Sequence, residues 1–161
     1  MMAIELIPLH PLERGYLRVL RIRSVFLWLT LSAIAAAADA LLHWRFGIPF
    51  GFLAGLVFGW GVITVVFLVP GRWRRWGYAF TDRELHVASG WLTRRHTVVP
   101  VSRVQHIDVS QGPLERSAGV ATLSLHTAGT EQNLVVLPGI RRERAEEIRD
   151  VIRSRISDAP W

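Results

Sequence analysis

The sequence predicts a two-helix membrane hairpin followed by a small antiparallel β domain that ends in one helix. Three observations carry this reading. Phe50 to Val69 is a twenty-residue stretch without a charge, and a helix of that length is about 30 Å long, the thickness of a bilayer's hydrocarbon core. From Trp76 the hydrophobic pattern changes from helical to period two, with turn residues at 8–12-residue intervals. From Arg141 to Ile156 the period lengthens again, with Ala145, Ile148, Ile152 and Ile156 on one stripe and charge elsewhere.

Composition and charge distribution agree with that architecture. Of the 161 residues, 50% are hydrophobic, and the mean hydropathy is +0.27. The chain has no cysteine, which excludes disulfides, thiolate catalysis and Cys-ligated zinc. A net charge of +6 invites a nucleic-acid reading, but its distribution opposes one. Residues 1–75 hold eight Arg against Glu5, Glu13 and Asp39, a net of +5, whereas residues 76–161 hold eleven Arg against ten acids. The excess flanks the apolar segments, where topology signals belong.

Residues 1–24 read as a cytoplasmic lead, with Pro8 and Pro11 early and Arg14, Arg18, Arg21 and Arg23 approaching the first apolar run. The hairpin occupies residues 25–69, with spans at 25–42 and 50–69. The first span, Val25 to Leu42, is interrupted by Asp39. A mid-membrane Asp costs about 2.5–3.5 kcal/mol, less near an end, and Asp39 lies within a turn of the boundary. A secretory signal peptide competes here, because Ala36, Ala38 and Ala40 resemble a cleavage site, but the lead is long for one and carries two acids. His43 to Pro49 is a short loop with one Arg, against four Arg before the first span and Arg72, Arg74 and Arg75 after the second. That asymmetry places both termini in the cytoplasm. Trp44 and Phe46 on one side and Trp73 and Trp76 on the other suit aromatic belts.

Gly51, Gly55 and Gly59 share one face of the second span, and the first span offers small residues at the same spacing. The simpler reading is that the two spans pack on each other through this face. The sharper one joins it to another subunit or a partner. Pro70-Gly71 is expected to stop the helix, and Arg72, Trp73, Arg74, Arg75 and Trp76 then form a juxtamembrane anchor.

The β domain, residues 76–157, divides into about six short strands: Gly77–Phe80, Glu84–Ser89, Trp91–Val99, Gln105–Val109, Ala121–Thr127 and Asn133–Leu137. Leu85, Val87, Ile107, Val109, Leu123 and Leu125 take the inward positions. Gly112-Pro113 starts a short helical turn that Gly119 ends, Ala128 to Glu131 is a turn, and Pro138-Gly139 closes the strands. The expected result is a small barrel or sandwich plugged by the C-terminal helix.

Strands followed by one C-terminal helix is the order of a pleckstrin-homology (PH) domain. Val99-Pro100, Arg103-Val104-Gln105, Gln111-Gly112-Pro113-Leu114-Glu115-Arg116, Gly119 and Thr127-Ala128-Gly129 resemble the pattern of the YdbS-like proteins, a bacterial membrane family with a PH-like domain. Those proteins also begin with a two-helix hairpin, so the resemblance covers about residues 12–156. It implies a PH-like α+β domain, no enzymatic activity, no cofactor, and assembly with similar or larger membrane proteins. Phosphoinositide binding needs several cations around the first hairpin. Here that hairpin holds only Arg83, between Asp82 and Glu84.

Other chemistry is weakly signalled. Asp39 and His43 share a helix face and are a candidate proton relay or metal pair, but they lack a third ligand. Ser102, His106 and Asp108 hold the ingredients of a triad without its geometry. His86, His96 and His126 fall on separate strands, where surface or edge positions explain them. Arg94-Arg95-His96 lacks stacking aromatics, so no nucleic acid is expected. No small-molecule substrate is evident. Arg116 is expected to cap or to pair locally, with Glu115 or Asp108 as candidate partners.

The sequence therefore points to a non-catalytic bacterial inner-membrane protein whose PH-like domain mediates assembly with itself or with a partner membrane protein. The alternative is a module that senses anionic lipid through Arg72, Arg74 and Arg75. A third reading makes it an enzyme or transporter component built on Asp39.

Overall fold

The computed structural model of the chain describes residues 8–47, 49, 51–81, 83–90, 93, 95–127 and 134–157. It divides into two compact units, Leu17–Gly71 and a β-rich unit made of Met1–Tyr16 with Arg72–Trp161.

In the helical unit, α1 (Arg14–Phe46) has 33 residues, its first three belonging to the β-rich unit. The second span begins with α2 (Phe52–Ile63), passes through a π-helical turn at Thr64–Leu68 and ends in α3 (Val69–Trp73). Both helices are long and apolar enough to cross a bilayer. Their large side chains point outward, Phe67 being 68% exposed and Trp44 84%, a pattern that lipid explains and water does not. Two threonine hydroxyls within the spans are satisfied locally: Thr30 donates to the carbonyl of Phe26 and Thr64 to that of Trp60, each at 2.9 Å.

Pro70 does not end the second span, contrary to the expectation from Pro70-Gly71; helix continues to Trp73. Proline lacks an N–H, and its ring collides with the carbonyl four residues back. The π turn just before it, where Val69 N–H reaches the carbonyl of Thr64, widens the backbone so that helix can proceed.

The β-rich unit contains two antiparallel sheets. One has the order β1-β2-β3-β4 (His10–Pro11, Gly77–Phe80, Glu84–Ser89, Arg95–Pro100). The other has the order β5-β6-β7 (Val104–Ser110, Val120–Thr127, Leu134–Arg141). Among the described residues no ladder joins β4 to β5 or β7 to β1, so the sheets stay open rather than closing into a barrel. A 3-10 turn (Val101–Arg103) links them, α4 (Pro113–Ser117) lies between β5 and β6, and α5 (Arg142–Ser157) follows β7. Period-two alternation turns Leu85, Val87, Leu123, Leu125 and Leu137 inward, and a register shift in β7 adds Ile140; Ala145, Ile148 and Ile152 of α5 meet them. Burying Ile148 and Ile152 contributes about 1.5–3 kcal/mol each. Ile156, placed on the same stripe by the sequence, has a side chain outside the described residues, as do Trp91, Arg94, Asn133, Asp82, Phe50 and the turn from Ala128 to Glu131.

The N-terminal lead and the end of β7 also differ from the sequence reading. The lead is not a separate segment: His10 and Pro11 pair with Tyr78 and Gly77, and Leu12 is buried in the β-domain core. Glu13 then ties this segment to β7, its N–H donating to the carbonyl of Gly139 at 2.9 Å and its carboxylate meeting Arg141 at 3.0 Å. Pro138-Gly139 does not end β7, which runs to Arg141; the register shifts between Ala121 and Leu123, and Gly139 takes φ +71°. A bulge and a left-handed glycine let a strand bend without stopping. Trp73 and Trp76 pack against the β-domain core, with Trp73 Nε1 donating to the carbonyl of Glu13 at 3.2 Å. The Trp73 indole thus pairs its N–H while its ring packs on apolar neighbours.

Candidate interaction surface

The outer face of the β5-β6-β7 sheet is built by register. His106 stands opposite His126, which stands opposite Leu134; Asp108 stands opposite Ser124, which stands opposite Val136; Ser110 stands opposite Thr122. The inner face takes every second side chain, so these remain outside. Leu134 is 48% exposed and Val136 38%. The rings of His106 and His126 are 5.7 Å apart and tilted by 54°. This gives a polar row beside an apolar edge strand on a sheet that ends at β7. Ser102 lies outside β5, in the 3-10 turn, and the structure shows no triad of Ser102, His106 and Asp108 among the described residues.

The motif residues separate into two groups. Glu115 is buried; its Oε2 accepts the N–H of Gly112 at 2.8 Å and its Oε1 accepts the hydroxyl of Thr122 at 3.3 Å. Pro113 opens α4 where no N–H donor is required, Gln111 Nε2 donates to the carbonyl of Val120 at 2.8 Å, and Gly119 turns the chain at φ +69°. Leu114 is half-buried, its carbonyl accepting the N–H of Ala118 at 3.1 Å, and Pro100 ends β4 opposite Glu84. These residues build the β5–β6 connection and its approach. Arg103, Gln105 and Arg116 are exposed. Arg116 makes no ion pair with Glu115 or Asp108 among the described residues, the partners suggested by sequence; Thr122 and Gly112 already hold the Glu115 carboxylate. Arg103 and Arg116 make no ion pair among the described residues.

His86 is not a surface residue. It is 7% exposed, and its ring stacks on His96 with centroids 5.4 Å apart. Its Nε2 lies 3.3 Å from Glu84 Oε2 but is aligned too poorly for a hydrogen bond. No group of three metal ligands forms among the described residues. On α5, Glu146 holds the Arg142 guanidinium above its ordinary pKa through a hydrogen bond, and Glu147 does the same for Arg144. Both are surface pairs one helical turn apart.

In the hairpin, Asp39 is 1% exposed and meets the start of α2. Its Oδ2 accepts the N–H of Ala54 at 2.8 Å and its Oδ1 that of Leu53 at 3.2 Å. Gly51, at φ +87°, precedes α2 and has no side chain with which to cap it. Asp39 supplies that cap from the other helix, where the first-turn amides and the helix dipole favour an anion. The spans do not pack through the Gly51, Gly55 and Gly59 face: a Cβ on Gly55 or Gly59 would meet nothing within 4 Å. The close approach is at Gly61, where a Cβ would lie 2.8 Å from Trp28 Cβ. The four-residue spacing does not mark the contact between the two spans; the bulk of Trp28, which needs a residue without a side chain opposite, was the available signal. Arg72, Arg74 and Arg75 are exposed at the end of the second span.

Two apolar spans joined to an open two-sheet domain with a C-terminal helix define a membrane-anchored PH-like protein. Residues 17–156 match the family described as Bacterial PH domain. The chain is 32% identical over 157 residues to UPF0699 transmembrane protein YdbS of Bacillus subtilis (strain 168), covering 94% of this chain and 96% of that one. It is 27% identical over 99 residues to UPF0699 transmembrane protein YdbT of the same organism, spanning 61% of this chain but 19% of that longer protein. Among solved structures, a DUF1696 family protein with a pleckstrin-homology domain from Shewanella loihica PV-4 is similar at 19% identity and a TM-score of 0.39, covering 51% of this chain and 71% of that chain. The chain belongs to the bacterial PH-domain family, and within it to the YdbS-like transmembrane proteins.

Proposed function

We propose that this is a non-catalytic assembly protein of the bacterial inner membrane, with both termini cytoplasmic, whose PH-like domain docks a second membrane protein bearing similar domains. The observation that carries the proposal is the outer face of the β5-β6-β7 sheet. Leu134 and Val136 stand exposed on an edge strand beside the His106, His126 and Asp108 rows, and an open edge with apolar neighbours suits strand-to-strand docking. The match of this chain to a stretch of a much longer transmembrane protein supports a partner of that kind.

The test is the size of the complex. Crosslinked membranes solubilised in mild detergent should yield the chain together with a second membrane protein, and Leu134→Glu/Val136→Glu should release it. A monomer at native-like concentration would overturn the proposal. The second reading, sensing of anionic lipid by Arg72, Arg74 and Arg75, is favoured by their exposure at the end of the second span. It requires charge reversal there to change binding of the domain to liposomes, and not topology alone.

A further inference from the structure

The two spans do not fill the space between them along their whole length. Where Gly61 lies against Trp28 the helices approach closely, and beside that contact a cleft of about 170 Å³ opens between them. Val25, Trp28 and Leu29 of α1 line it together with Phe58, Gly61, Val62, Val65 and Val66, and its walls expose no polar atom. Val65 and Val66 belong to the π turn, whose wider backbone changes the direction of the side chains that follow Gly61. An open apolar cleft at membrane depth is filled by the solvent of that depth, a hydrocarbon chain.

The headgroup end is also marked. Arg18, Arg21, Val25 and Trp28 recur at intervals of three and four residues, so they share one face of α1. Arg21 lies about 6 Å along the axis from Val25 and Arg18 about 10 Å, which puts both guanidinium groups in the headgroup layer when Val25 begins the hydrocarbon. Both are exposed and neither meets an acid among the described residues. Arg23 points off this face.

We propose that the cleft seats one acyl chain of an anionic phospholipid, taken from the leaflet at the N-terminal end of α1, whose phosphate is held by Arg18 and Arg21. Guanidinium groups match phosphate oxygens in geometry as well as charge. The binding is independent of the protein partner proposed above.

Native mass spectrometry of the delipidated full chain, with phosphatidylglycerol or phosphatidylcholine of identical acyl chains added back, tests the site. One phosphatidylglycerol should be retained per chain, about fivefold over phosphatidylcholine for each contributing arginine. Arg18→Gln/Arg21→Gln should bring the two lipids to parity, and Arg23→Gln, which removes the same kind of charge from another face, should not. Val65→Phe should fill the cleft and lower retention of both lipids. Where Val65→Phe loses its helical signal, quenching by bromine-labelled phosphatidylglycerol decides instead: Trp28→Phe should remove more than its one-seventh share of the quenching by the seven tryptophans. Parity of the two lipids on the unaltered chain, equal effects of the Arg18→Gln/Arg21→Gln and Arg23→Gln changes, or a proportionate loss of quenching at Trp28 would each overturn the proposal.

Discussion

Replacing Asp39 isolates the contact that joins the two spans at their loop end. In the native chain its carboxylate accepts two N–H groups from the first turn of α2, at 2.8 and 3.2 Å, while 1% exposed. Asp39→Ala leaves both amides without that partner. Hydrogen bonds to a charged acceptor are worth about 1.5–3 kcal/mol each, and the longer of the two counts at the low end. The alanine also relieves the cost of burying a carboxylate, so the net falls near the top of the range for lost N-caps, about 2 kcal/mol. Asn keeps a carbonyl oxygen for one amide but loses the charge, and should cost about 1 kcal/mol. For a chain of this size these values correspond to a fall in Tm of roughly 4–8 °C for Ala and about half that for Asn. Helical circular dichroism in detergent measures the shift, and hydrogen exchange at Leu53 and Ala54 should quicken before the rest of α2. An Asp39→Ala protein that melts with the native chain would refute the capping role, as would Asn and Ala variants that melt together.

Substitutions at three positions test the β domain. Gly139 and Gly119 have nearly the same left-handed backbone, φ +71° and +69°, but a Cβ at Gly139 would strike the ring of Tyr16 whereas one at Gly119 meets nothing within 4 Å. Gly119→Ala should cost about 1–2 kcal/mol for backbone strain alone, and Gly139→Ala about 3 kcal/mol or more, measured by denaturant unfolding followed by tryptophan fluorescence; equal costs would contradict the close approach. Glu115→Ala should cost about 1–2 kcal/mol by opening the α4 cap and freeing Thr122, whereas Glu115→Gln, which can still accept the Gly112 N–H, should retain most of the stability.

What was legible in the sequence follows from which forces act locally. The apolar spans, the six main strands and the α5 stripe of Ala145, Ile148 and Ile152 are periodic signals, and burial reads them as written. Pro70 and Pro138 misled because proline reports only that a regular hydrogen bond is missing; a π turn before one and a strand irregularity beside the other accommodate it without ending the element. The incorporation of His10 to Glu13 into the β domain was not legible, since pairing with Tyr78 and Gly77 depends on residues nearly seventy positions away. Asp39 is the most instructive case. Its helical neighbours suggested a proton relay with His43, yet its two partners are backbone amides, which every residue but proline carries and which no sequence pattern distinguishes. An acid inside a span signals an obligation to be satisfied, and a helix start with only glycine before it is a place where that obligation and the helix's own unpaired donors cancel.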